Sequence, residues 1–335
     1  NTERGPMYVS VTQADVAREA GVSRTLVSMA LSGSPRVAEG TRQHIESVAA
    51  SLGYTRDLSA ATLASASNSP FIGLVVPNFN NPFFEDLIAN VDAGAEDSDL
   101  LPLIATASND PAREANIIQR FRELRVRGLA VFTPASSRED LVEVGSKIPL
   151  VVIGDSEIGG KVDTIRLDET AAARSVLEHA HSRRWREAVY LSDVVAQRDR
   201  GLARRRSALV SQASALGIKL DVVEFLDDVN TVIAALTDNR SCSGTAFICH
   251  NDFLAMEVIS ALRGRGLRVG KDVAVISYDD TRLAAEVAGN FTSVGQQLER
   301  QAQSILELIN TRADYFDREA RELVFPPSLA ERSSS

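Results

Sequence analysis

Few residues of this 335-residue chain are arranged for covalent chemistry. Its histidines are His44, His179, His181 and His250. His179 and His181 stand two apart in a helical stretch, so they point to different faces and cannot share a metal ion, while His44 and His250 stand alone. Cys242 and Cys249 are too few for a disulfide framework and lack the spacing of a zinc knuckle. They read as buried packing in a reducing compartment. There is no G-x-x-x-x-G-K-[ST] phosphate loop and no G-x-S-x-G elbow, and Gly264-Arg-Gly266 precedes a strand where a dinucleotide fingerprint should follow one. Catalytic residues, metal ligands and cofactor-binding residues are therefore not expected.

Side chains suited to holding a polar ligand are better represented, and the elements around them explain their placing. Buried strands are predicted at Phe71–Val76, Leu101–Ala105, Leu129–Phe132, Leu150–Ile153, Ala188–Leu191, Ala246–Cys249 and Val273–Ser277, with amphipathic stretches between most of them. Continuous apolar strands alternating with helices signal a parallel sheet, and the span after residue 70 is long enough for two lobes. Ligands bind such sheets beyond the carboxyl ends of the strands. Asn81 follows the first strand and can hydrogen-bond a polar ligand; Phe83 and Phe84 either wall a pocket or pack the next helix. Asn251-Asp252 opens a helix, where an N-cap is the simpler role. Tyr278-Asp279-Asp280 follows the last of these strands, as capping, interlobe bonding or, for Asp280, ligand contact. An arginine-rich run, Gln197 to Arg206, is either a solvated face or, through Arg198 or Arg200, part of a site.

The chain's net charge of −9 argues against a protein that coats nucleic acid by charge alone. Residues 1–70 carry six arginines against six acids, so the excess negative charge lies beyond them. In that N-terminal stretch Thr12 and Asp15 make a capping box before an apolar stripe of Val16, Ala17 and Ala20 that stops at Gly21. Ser23 can cap a second helix with Leu26, Val27, Ala30 and Leu31 on one side and Arg24, Thr25, Ser28 and Met29 on the other. A third helix is predicted from Thr41 to Leu52. Two short helices about a glycine turn, braced by a third, describe either a helix-turn-helix or a small bundle that binds protein. Residues 55–70, rich in Ser and Ala, read as a linker whose first half is too short a helix to persist alone.

The run from Val11 to Gly33, VTQADVAREAGVSRTLVSMALSG, with Arg36-Val37, Thr41-Arg42 and Leu52-Gly53-Tyr54, resembles the headpiece of the lactose/galactose repressor family of bacterial transcription factors. The likeness continues through Ile72 to Pro77, Asn81 to Phe84, Asn251-Asp252 and Ser277 to Thr281. It implies an all-α helix-turn-helix headpiece joined to a two-lobed α/β body with parallel sheets, like a type I periplasmic binding protein. The implied divisions are 7–54 for the headpiece, 55–70 for the hinge, 71–167 with 295–322 for the first lobe, and 168–294 with 323–331 for the second. Carried over, Arg24, Thr25 and Met29 face DNA bases and Ser28 a phosphate, with Thr12, Ser23 and Arg42 also at the DNA. Leu63 occupies the hinge position that wedges into the minor groove, and Asp252 matches the residue that accepts two sugar hydroxyls. Three departures stand out. Met29 replaces a common Arg, Ala61 replaces an Arg at the hinge, and Gly201 stands at the usual sugar-binding Arg position.

The resemblance implies a repressor that binds double-stranded operator DNA as a homodimer and answers to a sugar-like effector in the interlobe cleft. A free-standing solute receptor and an enzyme on a similar sheet are the competing classes. With no apolar run near the roughly 18 residues of a membrane span and no basic, then apolar, leader, a cytoplasmic, nucleoid-associated protein is expected. The chain after Phe325, with Pro326-Pro327 and one leucine, offers no heptad helix for a tetramer. Because the headpiece carries no net charge, its nonspecific DNA binding is expected to show a shallow salt slope. A titration of random duplex between 50 and 200 mM salt that lost affinity by roughly 10³-fold or more would contradict that.

Overall fold

The computed structural model describes residues 11–55, 69–193, 199–226, 228–238, 242–286 and 290–335. They belong to two compact units, a small helical one at the N-terminal end and a larger α/β one. The small unit holds α1 (Gln13–Glu19), α2 (Arg24–Leu31) and α3 (Glu39–Ser51). Thr12 N–H donates to Asp15 Oδ2 at 3.0 Å and Asp15 N–H donates to Thr12 Oγ1 at 3.4 Å, which closes the capping box of α1. Gly21, at φ +67°, takes the left-handed turn that an L side chain resists. Ser23 Oγ then accepts the Leu26 N–H at 3.2 Å and starts α2. The third helix begins at Glu39, two residues before Thr41, without a side-chain cap from Ala38. Val16, Val27, Ala30, Val37, Ile45 and Ala49 form the buried centre. Residues 56–68 of the hinge, Leu63 among them, lie outside the described residues.

The larger unit is built on two six-stranded sheets. The first runs β11-β5-β4-β3-β1-β2, from β1 (Phe71–Val76), β2 (Leu101–Thr106), β3 (Leu129–Phe132), β4 (Leu150–Ile153), β5 (Asp163–Leu167) and β11 (Glu322–Phe325), all parallel. The second runs β12-β10-β9-β8-β6-β7, from β6 (Glu187–Asp193), β7 (Lys219–Phe225), β8 (Thr245–Cys249), β9 (Ala274–Asp279), β10 (Thr292–Gly295) and β12 (Ser328–Ala330). Only β12 is antiparallel. In chain order the helices of this unit are α4 (Pro82–Glu96), α5 (Pro111–Glu123), α6 (Arg138–Gly145), α7 (Glu169–Ser182), α8 (Arg200–Leu216), α9 (Val229–Asp238), α10 (Asp252–Gly264), α11 (Arg282–Ala285) and α12 (Leu298–Asp314). The strands β1, β3 and β4 carry no polar side chain because helices cover both faces of their sheet. Leu87, Val91, Ile305 and Ile309 of α4 and α12 bury one face of the first sheet, and Ile118, Phe121 and Leu141 the other. Val176, Leu177 and Leu209 of α7 and α8 cover one face of the second sheet, and Ile233, Val258 and Leu262 of α9 and α10 the other.

The chain passes between the sheets after Leu167, returns after Gly295, and passes again at Pro326-Pro327. The last passage corrects the sequence reading: residues 323–325 extend the first sheet as β11, and only the residues beyond Pro327 join the second lobe. The tail is tied down there, with Ser334 Oγ accepting the Thr292 N–H at 2.9 Å and donating to Val275 O at 2.5 Å. Among the described residues no helix is long and apolar enough to cross a membrane.

A buried charge cluster fixes the return path. Asp163, at the start of β5, accepts from Arg312 Nε and Nη2 at 2.9 and 2.8 Å and from Arg318 Nη1 and Nη2 at 2.9 and 2.7 Å. Arg312 and Asp163 have no side-chain exposure at all. Asp163→Ala leaves that guanidinium buried without its counter-ion, and a loss of about 3–5 kcal/mol is expected in urea denaturation of the body. A loss under about 1 kcal/mol would show that water replaces the carboxylate.

Candidate DNA interface and effector cleft

On the small unit, Arg24, Thr25 and Ser28 of α2 are exposed on one side, while Val27 and Ala30 point inward. Thr12 and Ser23 sit at the N-terminal ends of α1 and α2 with their hydroxyls engaged as caps. Two sequence expectations need correction. Met29 is half-buried and packs against the headpiece core, because α2 turns it partly inward beside Ala30. Arg42 is engaged inside the unit, donating to Ala30 O at 3.1 Å and Ser34 O at 2.8 Å, so it satisfies carbonyls at the end of α2. Arg24, Thr25 and Ser28 are consequently the exposed residues of α2.

In the body, a cleft of about 480 Å³ opens between the carboxyl ends of the two sheets. Asn81 caps α4 by accepting the Phe83 N–H at 3.0 Å, which leaves its Nδ2 to donate across to Asp279 Oδ2 at 3.0 Å. Asp279 Oδ1 accepts from Gln296 Nε2 at 2.7 Å, just past the second passage between lobes. Asp279 and Asp280 both take positive φ, 107° and 49°, as the chain turns sharply off β9. Phe83 does both jobs that the sequence left open: it is buried in the first-lobe core, edge-to-face with Phe84 at 5.3 Å, and it walls the cleft. Arg205 is held on the second-lobe side. Its guanidinium contacts both Glu169 oxygens at 2.9–3.3 Å, donates to His250 O at 2.6 Å and stacks 3.9 Å over the Tyr278 ring.

Three expected ligand contacts are placed elsewhere. Asp252 is fully buried and off the cleft wall. One of its oxygens accepts the Thr281 N–H and hydroxyl at 2.7 and 2.9 Å, and the other accepts the Ser293 hydroxyl at 2.7 Å. It ties the start of α10 to Thr281 and to Ser293 of β10, buried away from the cleft. Asp280 pairs with Arg332 at 2.7 Å, and its N–H donates to Ser293 Oγ at 2.9 Å. Arg200 faces Asp155 and Ser136 of the first lobe and stands off the cleft wall. Sequence reasoning did not single out Arg205, Glu169 or Gln296; the interlobe bonding it expected of the Tyr278 to Asp280 stretch is made by Asp279 with Asn81. The arginine run and the Asp279-Asp280 pair were the signals, but one residue in the wrong register separates an outward role from an inward one.

Burial pushes the Asp279 carboxyl up to about 7, and the neighbouring Asp252 carboxylate adds to it against Arg205, Asn81 and Gln296. A folded-state value above the unfolded 3.8 means the native state binds the extra proton, so this group's contribution is full below about 3.8 and is lost as pH rises past about 7. Asp279→Asn is expected to flatten the decline in melting temperature between pH 5 and pH 8 relative to the parent. Parallel curves for the two proteins would sink this assignment.

Known proteins resemble this chain along the same division. Residues 12–57 match the pattern of bacterial regulatory proteins of the lacI family, and residues 177–335 match a periplasmic binding protein-like domain. The chain is 25% identical over 326 residues to the HTH-type transcriptional regulator PtxS of Pseudomonas plecoglossicida, covering 97% of this chain and 96% of that protein. It is likewise 25% identical over 335 residues to the HTH-type transcriptional repressor PurR of Aliivibrio fischeri strain MJ11, covering 96% and 97%. The crystal structure of the lac repressor dimer bound to operator and the anti-inducer ONPF superposes with a TM-score of 0.84 at 20% identity, over 97% of this chain and 99% of that one, a likeness of fold. The chain thus carries a helix-turn-helix domain of the lacI family pattern ahead of a periplasmic binding protein-like domain, and HTH-type transcriptional regulators resemble it along nearly its full length.

Proposed function

We propose that the protein is a ligand-controlled transcriptional repressor that binds a pseudo-palindromic operator as a homodimer and works in the cytoplasm on the nucleoid. The observation that carries this reading is the exposed Arg24, Thr25 and Ser28 row on a helix whose other side is the core of its unit. A helix held that way presents its first residues to base edges in the major groove. One headpiece reads only a few base pairs, so two are needed for a useful site. The PurR relative is a repressor, and the lac repressor crystallised as a dimer on its operator. Within this reading residues 7–54 form the headpiece, 55–70 the hinge with Leu63 as its wedge, and the two lobes the effector domain.

A small polyhydroxylated effector in the interlobe cleft supplies the control. Asn81, Asp279 and Gln296 gather donors and acceptors from both lobes, so a ligand that inserts among them binds one lobe arrangement better than another. Differential affinity of that kind is what changes DNA binding. Arg24→Ala is expected to cost roughly 1–3 kcal/mol on the preferred operator and much less on random duplex. Gel-shift titration of the full chain against residues 69–335 checks the assignment. Equal weakening on both DNAs removes Arg24 from base reading, and a shift by residues 69–335 alone removes the headpiece.

A further inference from the structure

Three arginines crowd one carboxylate where the second lobe meets the first. Asp155, two residues past β4, is 1% exposed. It bonds Arg200 Nε, accepts from Arg204 Nη1 at 3.2 Å and lies 3.4 Å from Arg138 Nη2. Arg200 also donates twice to Ser136 O at 3.2 Å, and Arg204 donates to Ser156 Oγ and Gly154 O, each at 2.9 Å. The two lobes are thus clasped by the protein's own groups. The clasp depends on Gly201, because a Cβ there would stand 2.6 Å from Gly154 O and push α8 off the first lobe.

The charges of this cluster do not balance. Among the described residues Asp155 is the only carboxylate within ion-pair distance of Arg138, Arg200 or Arg204, which leaves an excess of two positive charges. Elsewhere in the cleft wall the arginines are matched one to one, Arg205 by Glu169 and Arg166 by Glu322. The Nε donors of Arg138 and Arg204 are buried with no partner among the described residues, a cost that ordinary packing avoids. The three side chains are still 29–36% exposed, and Arg204 lines the cleft. Uncompensated guanidinium charge and unused donors beside an open cavity are the chemistry of an anion receptor. A neutral sugar would leave both unanswered.

We propose that the effector is a polyhydroxylated acid whose carboxylate or phosphate group replaces Asp155 as the counter-ion of Arg204, the arginine of the cluster that lines the cleft. The exchange removes one of the two second-lobe arginines from Asp155 while Asn81 and Gln296 still hold Asp279, so an acidic ligand alters the lobe arrangement at one side of the cleft only. This rests on the reading of the cleft as the effector site and narrows it to one ligand class.

Isothermal titration of the full chain with glucose, gluconate, glucose 6-phosphate and inorganic phosphate, at constant ionic strength, tests the exchange. Gluconate or glucose 6-phosphate should bind at least ten-fold tighter than glucose, the pair telling carboxylate from phosphate, and inorganic phosphate should compete with either. Arg204→Gln should weaken the acid at least ten-fold, and Arg204→Lys should recover part of the loss. Asp155→Asn removes the competing carboxylate and should tighten binding; if that variant does not fold, the two Arg204 variants decide. Glucose binding as tightly as the acids, an Arg204→Gln protein that binds them unchanged, or no binding by any of the four overturns the proposal. A parent chain that shifts no operator fails the regulator reading, whereas one that shifts operator and ignores every acid fails this inference alone.

Discussion

A carboxylate in a dry interior must gather donors or give up its charge, and Asp279 does some of both. It draws one amide from Asn81 at the mouth of the first lobe and another from Gln296 on the strand-to-helix passage between lobes. Those two bonds place the end of β9, the cap of α4 and the start of α12 around one side chain. The Asn81 cap serves two elements at once, since its oxygen starts a helix while its nitrogen crosses to the other lobe.

Around this centre the remaining charges divide into those that hold and those that are left available. Asp163 is surrounded by Arg312, Arg318 and the Arg321 N–H, and its donors hold the carboxyl below its usual range even though burial alone would raise it. Asp252 ties Thr281 and Ser293 together, and Glu169 pins Arg205. Such buried groups are costly to bring together and more costly to separate, so they set one arrangement of loops. The Asp155 cluster differs in being rich in arginine and partly open to solvent.

The headpiece is held together differently. Its centre is a handful of small aliphatic side chains, and its termini are fixed by hydroxyl and carboxylate caps. A unit of this size has little apolar area to bury, so each cap and each internal bond such as Arg42 to Ala30 O matters to it. That need explains why Arg42 is turned inward onto the end of α2, whose exposed residues are Arg24, Thr25 and Ser28.

Features with a local period were legible from residue order. The capping box at Thr12, the glycine turn at Gly21, the stripe of α2 and the apolar runs of β1, β3, β4, β8 and β9 each arise from neighbours within a few positions. The strands β7, β11 and β12 were not among those predicted because they are edge strands with mixed burial, and β5 and β10 because, though interior, their polar residues Asp163, Thr164, Arg166, Thr292 and Ser293 break any apolar run. Residue types were legible too: Asp252 stood out as a helix-opening acid, and the Arg198 to Arg206 run as a place where charge gathers. What each did was decided by partners far along the chain. Asp252 meets Ser293, Arg200 meets Asp155 and Asn81 meets Asp279 across 198 positions. Periodicity reports which side of an element is apolar, whereas the choice of polar partner depends on which elements the sheets bring together, and that only the tertiary structure decides.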